Sequence, residues 1–286
     1  MKSLRPLTLA ALLTFVGCGG DSTETPAGDE PTEPTEATED ANPEVPPITA
    51  EDLGEEVENI TLVPSPVETQ KALERAGIET QLASLIESRT YAVADDNSDN
   101  AAVRTGVVIA DMLLSVKTSS TEDLLTHLDQ VKSGMDQLGG GKDIVATVED
   151  IEERVKGDAV TRDELLRELD ELSGAVIPEL EFNGQERIVP LIQAGSWLEG
   201  ANLLAKAVKA ADKPDAADGL LKQPAVVDYF LEYVREEGQD KAPAAVTEKL
   251  DTALKTLKGV AEKSEPLSHD DIDTVIKTTD DVLALL

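Results

Sequence analysis

The chain is poor in the side chains from which most metal and cofactor sites are built. Its 286 residues include one Cys, two His and one Trp, and aromatic residues make up only 2% of the sequence. This supply is too small for a structural zinc site, a disulfide framework or a haem-attachment motif. It also offers no stack of aromatic rings to a nucleotide or a haem. The composition therefore predicts a protein without a cofactor.

Basic residues are scarce as well. The chain has 25 Lys and Arg against 58 Asp and Glu, which gives a formal net charge of −33 at pH 7. A surface this acidic repels the phosphate backbone of nucleic acids and the head groups of anionic lipids. We therefore expect no nucleic-acid partner.

The first 17 residues have the features of a signal peptide. Lys2 and Arg5 form a positively charged start, and residues 7–16 are a mostly apolar stretch. This stretch has the length of a signal-peptide core and is about half as long as a membrane span. The sequence therefore predicts that residues 1–17 are removed during export.

The only cysteine of the chain comes next, in Phe15-Val16-Gly17-Cys18. This tetrapeptide resembles the lipobox of bacterial lipoproteins, and the resemblance covers residues 1–18 only. It implies cleavage before Cys18 and attachment of three acyl chains, palmitate among them, to that residue. Two or more acyl chains hold a protein stably on a bilayer, whereas one gives only marginal binding. The alternative is an ordinary secretory signal followed by an incidental cysteine.

The residue after the cysteine is Gly19 rather than Asp. By the same resemblance, this implies sorting to the outer membrane of a Gram-negative bacterium. The expected partners are then the lipid bilayer, through the acyl chains of Cys18, and a protein of the cell envelope.

A tether follows the lipidated cysteine and completes the segment 18–48. Residues 19–48 hold six Pro, nine acidic residues and no Lys or Arg. Such a composition buries too little apolar surface to offset the entropy of ordering, so it predicts disorder. A flexible coil of this length would span about 30 Å, and charge and Pro would extend it further. The segment is either a plain spacer or a binding segment for a basic partner.

Residues 49–286 show the hydrophobic period of helices. Apolar residues recur at alternating spacings of three and four, which places them on one face of a helix. One such series is Leu124, Leu128, Val131, Met135 and Leu138. Helix-start signals precede these series, because a Ser or Thr stands three residues before an acid at positions 65, 120, 161 and 268. No stretch alternates as a strand would, so we predict an all-α bundle of about nine or ten helices.

Two stretches, 101–117 and 186–210, are more apolar than the rest and are predicted to be the central helices. Gly106 and Ala110 lie one turn apart on the first of them, which would let a neighbouring helix approach closely. A helix that is apolar on most sides is typical of a buried position.

The central helices also suggest an internal duplication. Residues 105–109 resemble residues 194–198, and a polar loop precedes the apolar helix in each case. About three amphipathic helices follow each of them. The pattern suggests two related helical halves, 78–180 and 181–286, packed with pseudo-twofold symmetry. The alternative is that Leu-rich helices resemble one another by chance.

The strongest cluster of possible metal ligands precedes the first central helix. Asp95, Asn97 and Asp99 match the oxygen ligands at positions one, three and five of a calcium loop. The second half of the motif fails, since Asn100 replaces the required Gly and Gly106 replaces the bidentate Glu. The favoured interpretation is therefore a solvated loop in which Asp99 complements the helix dipole. The alternative is a weak cation site.

A ligand site between the central helices is a second possibility. Arg104 and Asp111 form the polar stripe of the first central helix, about 10 Å apart along its axis, and Gln193 is a polar residue of the second. These three residues could anchor a small ligand or a cation. The simpler interpretation is that the Arg104–Asp111 stripe faces solvent.

The few aromatic residues of the body are predicted to serve packing. Trp197, the only Trp, is expected in the core, with a ligand pocket as the alternative. Tyr229 and Tyr233 share one helical face, where they either pack or contact a partner.

The sequence thus predicts a membrane-anchored envelope lipoprotein whose helical body is a scaffold or partner-binding domain rather than an enzyme. No Ser, His or Cys stands at the spacing of a known nucleophile or metal motif. The alternatives are a small-ligand or cation binder and an enzyme. An enzyme would need two carboxylates that converge in a cleft with shifted pKa values.

Overall fold

A computed structural model describes residues 65–78, 82–86, 92–93, 95–238 and 244–286. All of them belong to the compact unit Thr49–Leu286. The predicted signal peptide, the predicted lipidation site Cys18 and the predicted tether lie outside the described residues.

The described residues form ten α-helices, three short 3-10 turns and no strand, which confirms the predicted all-α bundle. The helices are α1 (Pro66–Arg75), α2 (Ser98–Ser115), α3 (Thr121–Leu138), α4 (Lys142–Lys156), α5 (Arg162–Phe182), α6 (Val189–Ala210), α7 (Ala217–Leu221), α8 (Pro224–Glu237), α9 (Ala244–Ala261) and α10 (His269–Leu283). The predicted central helices correspond to α2 and α6.

Four helices begin at the Ser and Thr positions that the sequence marks. The hydroxyl groups of Ser65, Ser120, Thr161 and Ser268 each accept a hydrogen bond from the main-chain amide three residues later. At α1, α5 and α10 the acidic side chain at that third position also accepts from the amide of the capping residue, which completes a capping box. The end of α3 lies at Gly139, whose φ of 74° is in the left-handed region that favours glycine.

The buried apolar side chains form two clusters. The first core lies among α2, α3, α4, α5 and the start of α6, and includes Met112 and Leu128. The second core lies among α1, α2, α6, α7, α8, α9 and α10, and includes Leu203 and Phe230. Because α2 and α6 contribute to both cores, they occupy the central position that their apolar composition predicts.

The central helices cross at two glycines, Gly106 on α2 and Gly195 on α6. A Cβ atom on Gly106 would lie far inside van der Waals contact of the main-chain oxygen of Ile192. A Cβ atom on Gly195 would be equally close to the main-chain oxygen of Val103. Each glycine therefore meets the residue three positions before the other glycine. This reciprocity is a local two-fold relation, and the absence of side chains is what lets the two backbones touch.

Beyond the crossing, the two helices differ in their neighbours. α2 packs chiefly on α3, the next helix in the chain, whereas α6 packs chiefly on α10, the final described helix. The two-fold relation at the crossing fits the predicted pair of halves, 78–180 and 181–286. The duplication of the whole halves stays a prediction.

Candidate functional site

The acidic loop before α2 caps the start of that helix with its own side chains. The side-chain oxygen Oδ1 of Asp95 accepts a hydrogen bond from the amide of Asn97 at 2.8 Å. Asn97 is the N-cap of α2, and its own Oδ1 accepts from the amide of Asp99 at 2.8 Å. Short polar side chains cap helices in this way because the first amides of a helix have no internal partner.

Arg104 ties this loop to two other parts of the chain. Its Nη1 donates to Oδ2 of Asp95 at 2.6 Å and to the main-chain oxygen of Ala92 at 3.0 Å. Its Nε donates to the main-chain oxygen of Leu286 at 2.9 Å. The hydrogen bond from the Asn97 amide, together with the nearby Arg104 guanidinium, lowers the pKa of Asp95 below its usual value. The carboxylate therefore stays ionised and bonded, which keeps the loop in place.

An ion pair joins the N-terminal ends of the two central helices. Nη2 of Arg187, just before α6, lies 2.7 Å from Oδ1 of Asp99 in the first turn of α2. The hydroxyl of Tyr233 on α8 donates to the main-chain oxygen of Arg187 at 3.4 Å. Since their N-terminal ends meet here, α2 and α6 run in the same general direction through the glycine crossing.

These contacts leave few oxygen ligands for a cation at the loop of Asp95, Asn97 and Asp99. Both carboxylate oxygens of Asp95, the amide oxygen of Asn97 and one oxygen of Asp99 already bind protein groups. Among the residues that the structure describes, no group of three or more His, Cys, Asp and Glu could hold a metal ion. The geometry is that of a helix start held in place by two arginines.

The structure contradicts the simpler interpretation of the polar stripe on α2, which was exposure to solvent. Asp111 is only 4% exposed, so the stripe does not face solvent as that interpretation expected. Arg104 is also largely covered, with 12% of its side chain exposed, and its guanidinium binds Asp95 and Leu286. Gln193 is half-buried on α6, next to the crossing residue Ile192. The structure uses Arg104 to join segments of the chain, and the ligand site at Arg104, Asp111 and Gln193 stays a prediction.

A polar seam between α6 and α10 has no counterpart among the sequence predictions. Asn202 is fully buried, and its Nδ2 donates to Oγ1 of Thr279 at 2.8 Å and to Oδ1 of Asp280 at 2.7 Å. Nζ of Lys206 lies 3.1 Å from the same Asp280 oxygen. The sequence signal for this seam is a polar Asn in a largely apolar helix, since a buried amide needs partners on a neighbouring element.

Trp197 lies in the second core, as predicted, and also in the wall of a small pocket. The side chain is 7% exposed and packs against Phe230 at a ring-centroid distance of 5.4 Å. Its indole Nε1 donates to Oε1 of Gln223 at 2.8 Å. The pocket beside the ring has a volume of about 30 Å³ and is lined by residues of α1, α6, α7, α9 and α10 and by Gln223 and Val227. Trp197 is therefore both a core residue and part of the wall of the pocket.

Phe182 is the large apolar side chain that the described part of the chain exposes most. It is the last residue of α5 and is 87% exposed. Its neighbours Glu181, Asn183 and Gly184 are exposed too. The sequence predicts this stretch only as the polar loop before the second central helix, because the hydrophobic period does not show whether a residue at a helix end is covered.

None of the helices in the described part of the chain is both long and apolar enough to cross a bilayer. No protein-family model, curated protein or solved structure matches the chain.

Proposed function

We propose that the protein is an envelope lipoprotein, anchored through acyl chains on Cys18 to the outer membrane of a Gram-negative bacterium. We further propose that its helical body is a non-enzymatic scaffold or partner-binding domain. The lipobox resemblance of residues 15–18 supports the anchor, and the acidic, Pro-rich composition of residues 19–48 supports a spacer between anchor and body.

The use of polar groups in the body supports a non-enzymatic role. Arg104, Asp95 and Arg187 are polar residues in or next to the acidic loop before α2, the candidate cation site. Each of them holds a loop or a helix end in place. The buried amide of Asn202 likewise joins two helices. These are the contacts of a rigid framework, because they fix elements of the fold relative to one another.

Phe182 is the observation that carries the partner-binding proposal. A Phe that is 87% exposed gains apolar burial when another molecule covers it, and aromatic side chains often anchor protein interfaces. Glu179, Glu181 and Glu186 surround it in the sequence. The matching surface on an envelope protein is thus an apolar pocket with a basic rim.

Labelling and fractionation test the anchor. Cells that express the full chain are fed an alkyne analogue of palmitate, and the protein is followed through membrane and soluble fractions. The wild-type chain should carry the label and stay with the membranes, whereas Cys18→Ala should lose the label and leave the membrane fraction. Equal membrane association of the two chains would contradict lipidation at Cys18.

Photo-crosslinking tests the partner surface. A photoreactive phenylalanine analogue replaces Phe182 in one chain and the exposed Glu171, on the same helix, in a control chain. We expect one discrete crosslinked product from position 182, none from position 171, and loss of the product at high salt or with Glu181→Lys. A product that forms equally from both positions, or that ignores salt and charge reversal, would argue against a basic-rimmed partner.

A further inference from the structure

The pocket beside Trp197 is a candidate binding site that the proposed function does not include. It lies within the second core, where residues of α1 and α6–α10 meet, and it opens partly to solvent. Its volume of about 30 Å³ corresponds to roughly two or three water molecules, at 10–15 Å³ for each. Phe182 takes no part in its lining.

The wall of the pocket is uncharged, although 29% of the chain consists of charged residues. Leu204, Leu257 and Val275 supply apolar surface opposite Trp197. An ionised group placed among these described lining residues would lose its hydration and find no counter-charge, which costs far more than the burial of a neutral polar group. The wall therefore selects against ions.

Three polar side chains on the same wall can bind one more group. Thr69 is 8% exposed, and its hydroxyl, like that of Ser196, makes no hydrogen bond to another described residue. The amide of Gln223 accepts from Trp197 and donates to the main-chain oxygen of Leu220, which leaves one lone pair and one hydrogen of the amide for a ligand. A hydroxyl or carbonyl group in the pocket would thus find both donors and acceptors.

Gly200 shows independently that the wall is underfilled. A Cβ atom at this position would have no other group within 4 Å, although Gly200 is itself a buried residue of α6. Protein interiors are close-packed, so open space at a buried glycine marks room for additional atoms.

We propose that this pocket binds a small uncharged molecule that carries a hydroxyl or carbonyl group on a short apolar chain. The polar group lies near Thr69, Ser196 and Gln223, and the first carbons lie against Trp197. The small volume admits only a few non-hydrogen atoms, so any longer chain extends toward the opening of the pocket.

The single Trp of the chain makes the test direct. The full chain with Cys18→Ala, which carries no acyl chains, is titrated while the fluorescence of Trp197 is recorded. The probes are 1-butanol and butyramide, with butyrate and butylammonium as charged analogues of similar size. We expect a saturable change with the two neutral probes and at least tenfold weaker responses to the two ions. A linear, non-saturating change with every probe, or tighter binding of an ion, would overturn the proposal.

Two leucine variants locate the response. Gly200→Leu fills the pocket and should abolish the saturable change. Gly259→Leu adds the same side chain at another glycine with nothing within 4 Å, outside the pocket, and should keep the change. Circular dichroism tests whether each variant is folded. A response that survives in folded Gly200→Leu would place the binding elsewhere and refute the site.

A third variant keeps the test decisive if Gly200→Leu does not fold. Thr69→Val has nearly the same shape as the wild type but lacks the hydroxyl, so it should weaken 1-butanol binding about threefold to tenfold. Unchanged binding of both neutral probes to Thr69→Val would contradict the assigned polar end of the site.

Discussion

Gly106 and Gly195 are two-fold equivalents in the crossing of the central helices, since each lies against the main chain of the other's helix. Neither position has room for a single additional carbon atom. The geometry of this crossing gives the most direct test of the fold.

Gly106→Ala should lower the free energy of unfolding by about 2–3 kcal/mol, because the added methyl group forces the two backbones apart. Gly174→Ala is the matched control, since that glycine is exposed within α5 and has nothing within 4 Å. The control should be about 0.5–1 kcal/mol more stable than wild type, as alanine restricts the unfolded chain. Urea unfolding followed by circular dichroism measures both changes. A Gly106→Ala variant as stable as wild type would mean that the helices are not in backbone contact.

The double variant Gly106→Ala, Gly195→Ala should lose less stability than the sum of the two single variants. Both methyl groups oppose the same approach of α2 and α6, so the separation forced by one partly accommodates the other. The double-mutant cycle is measured by urea unfolding of the four chains. Strictly additive losses would indicate that the two glycines do not share one crossing.

Arg104→Lys should destabilise the protein by about 1–3 kcal/mol, since a single ammonium group does not reproduce the fork that binds Asp95, Ala92 and Leu286. Arg167→Lys, at an exposed position of α5, is the control and should change stability by less than about 0.5 kcal/mol. Thermal unfolding of the two variants beside wild type measures the difference. Equal melting temperatures for Arg104→Lys and wild type would rule out the bonding role of the guanidinium.

Asp271 should contribute stability that depends on pH. Its carboxylate accepts from Lys263 and from the amide of Ser268, and these bonds lower its pKa to about 2. Because the pKa is lower in the folded chain, the contribution is complete above the unfolded value near 4 and is lost as the pH falls toward 2. Asp271→Asn should therefore cost about 1–2 kcal/mol at pH 7 and very little at pH 2.

Asp270→Asn is the control for this pH dependence. Asp270 is exposed in the first turn of the same helix, so its substitution should change stability little at either pH. Urea unfolding at pH 7 and pH 2 gives the comparison. An Asp271→Asn variant that loses as much stability at pH 2 as at pH 7 would show that charge is not the cause.

Local sequence information was enough to predict the helices. The period of Leu124, Leu128 and Val131 defines the buried face of α3, and the capping residues Ser65 and Thr161 mark where α1 and α5 begin. These features depend on residues within one or two turns of each other, so they can be recognised without knowledge of the tertiary structure.

The candidate site depends on partners that are distant in the sequence. Arg104 binds Leu286, which lies 182 residues away, and no local sequence pattern predicts that contact. The simpler interpretation of the stripe at Asp111 expects it to face solvent, because amphipathic patterns assume a helix with one exposed side. A central helix has neighbours on every side, so its polar residues lie between helices, as Asn202 does against Asp280.

The division of α2 between the two cores has a thermodynamic consequence. Val107 and Leu114 on this helix pack in the second core, whereas Met112 and Leu113 pack in the first. If the helices around one core separate, one face of α2 is exposed to water and the support of the other core is lost with it. The two cores are therefore coupled through one shared helix, and the body should melt in a single cooperative transition rather than half by half.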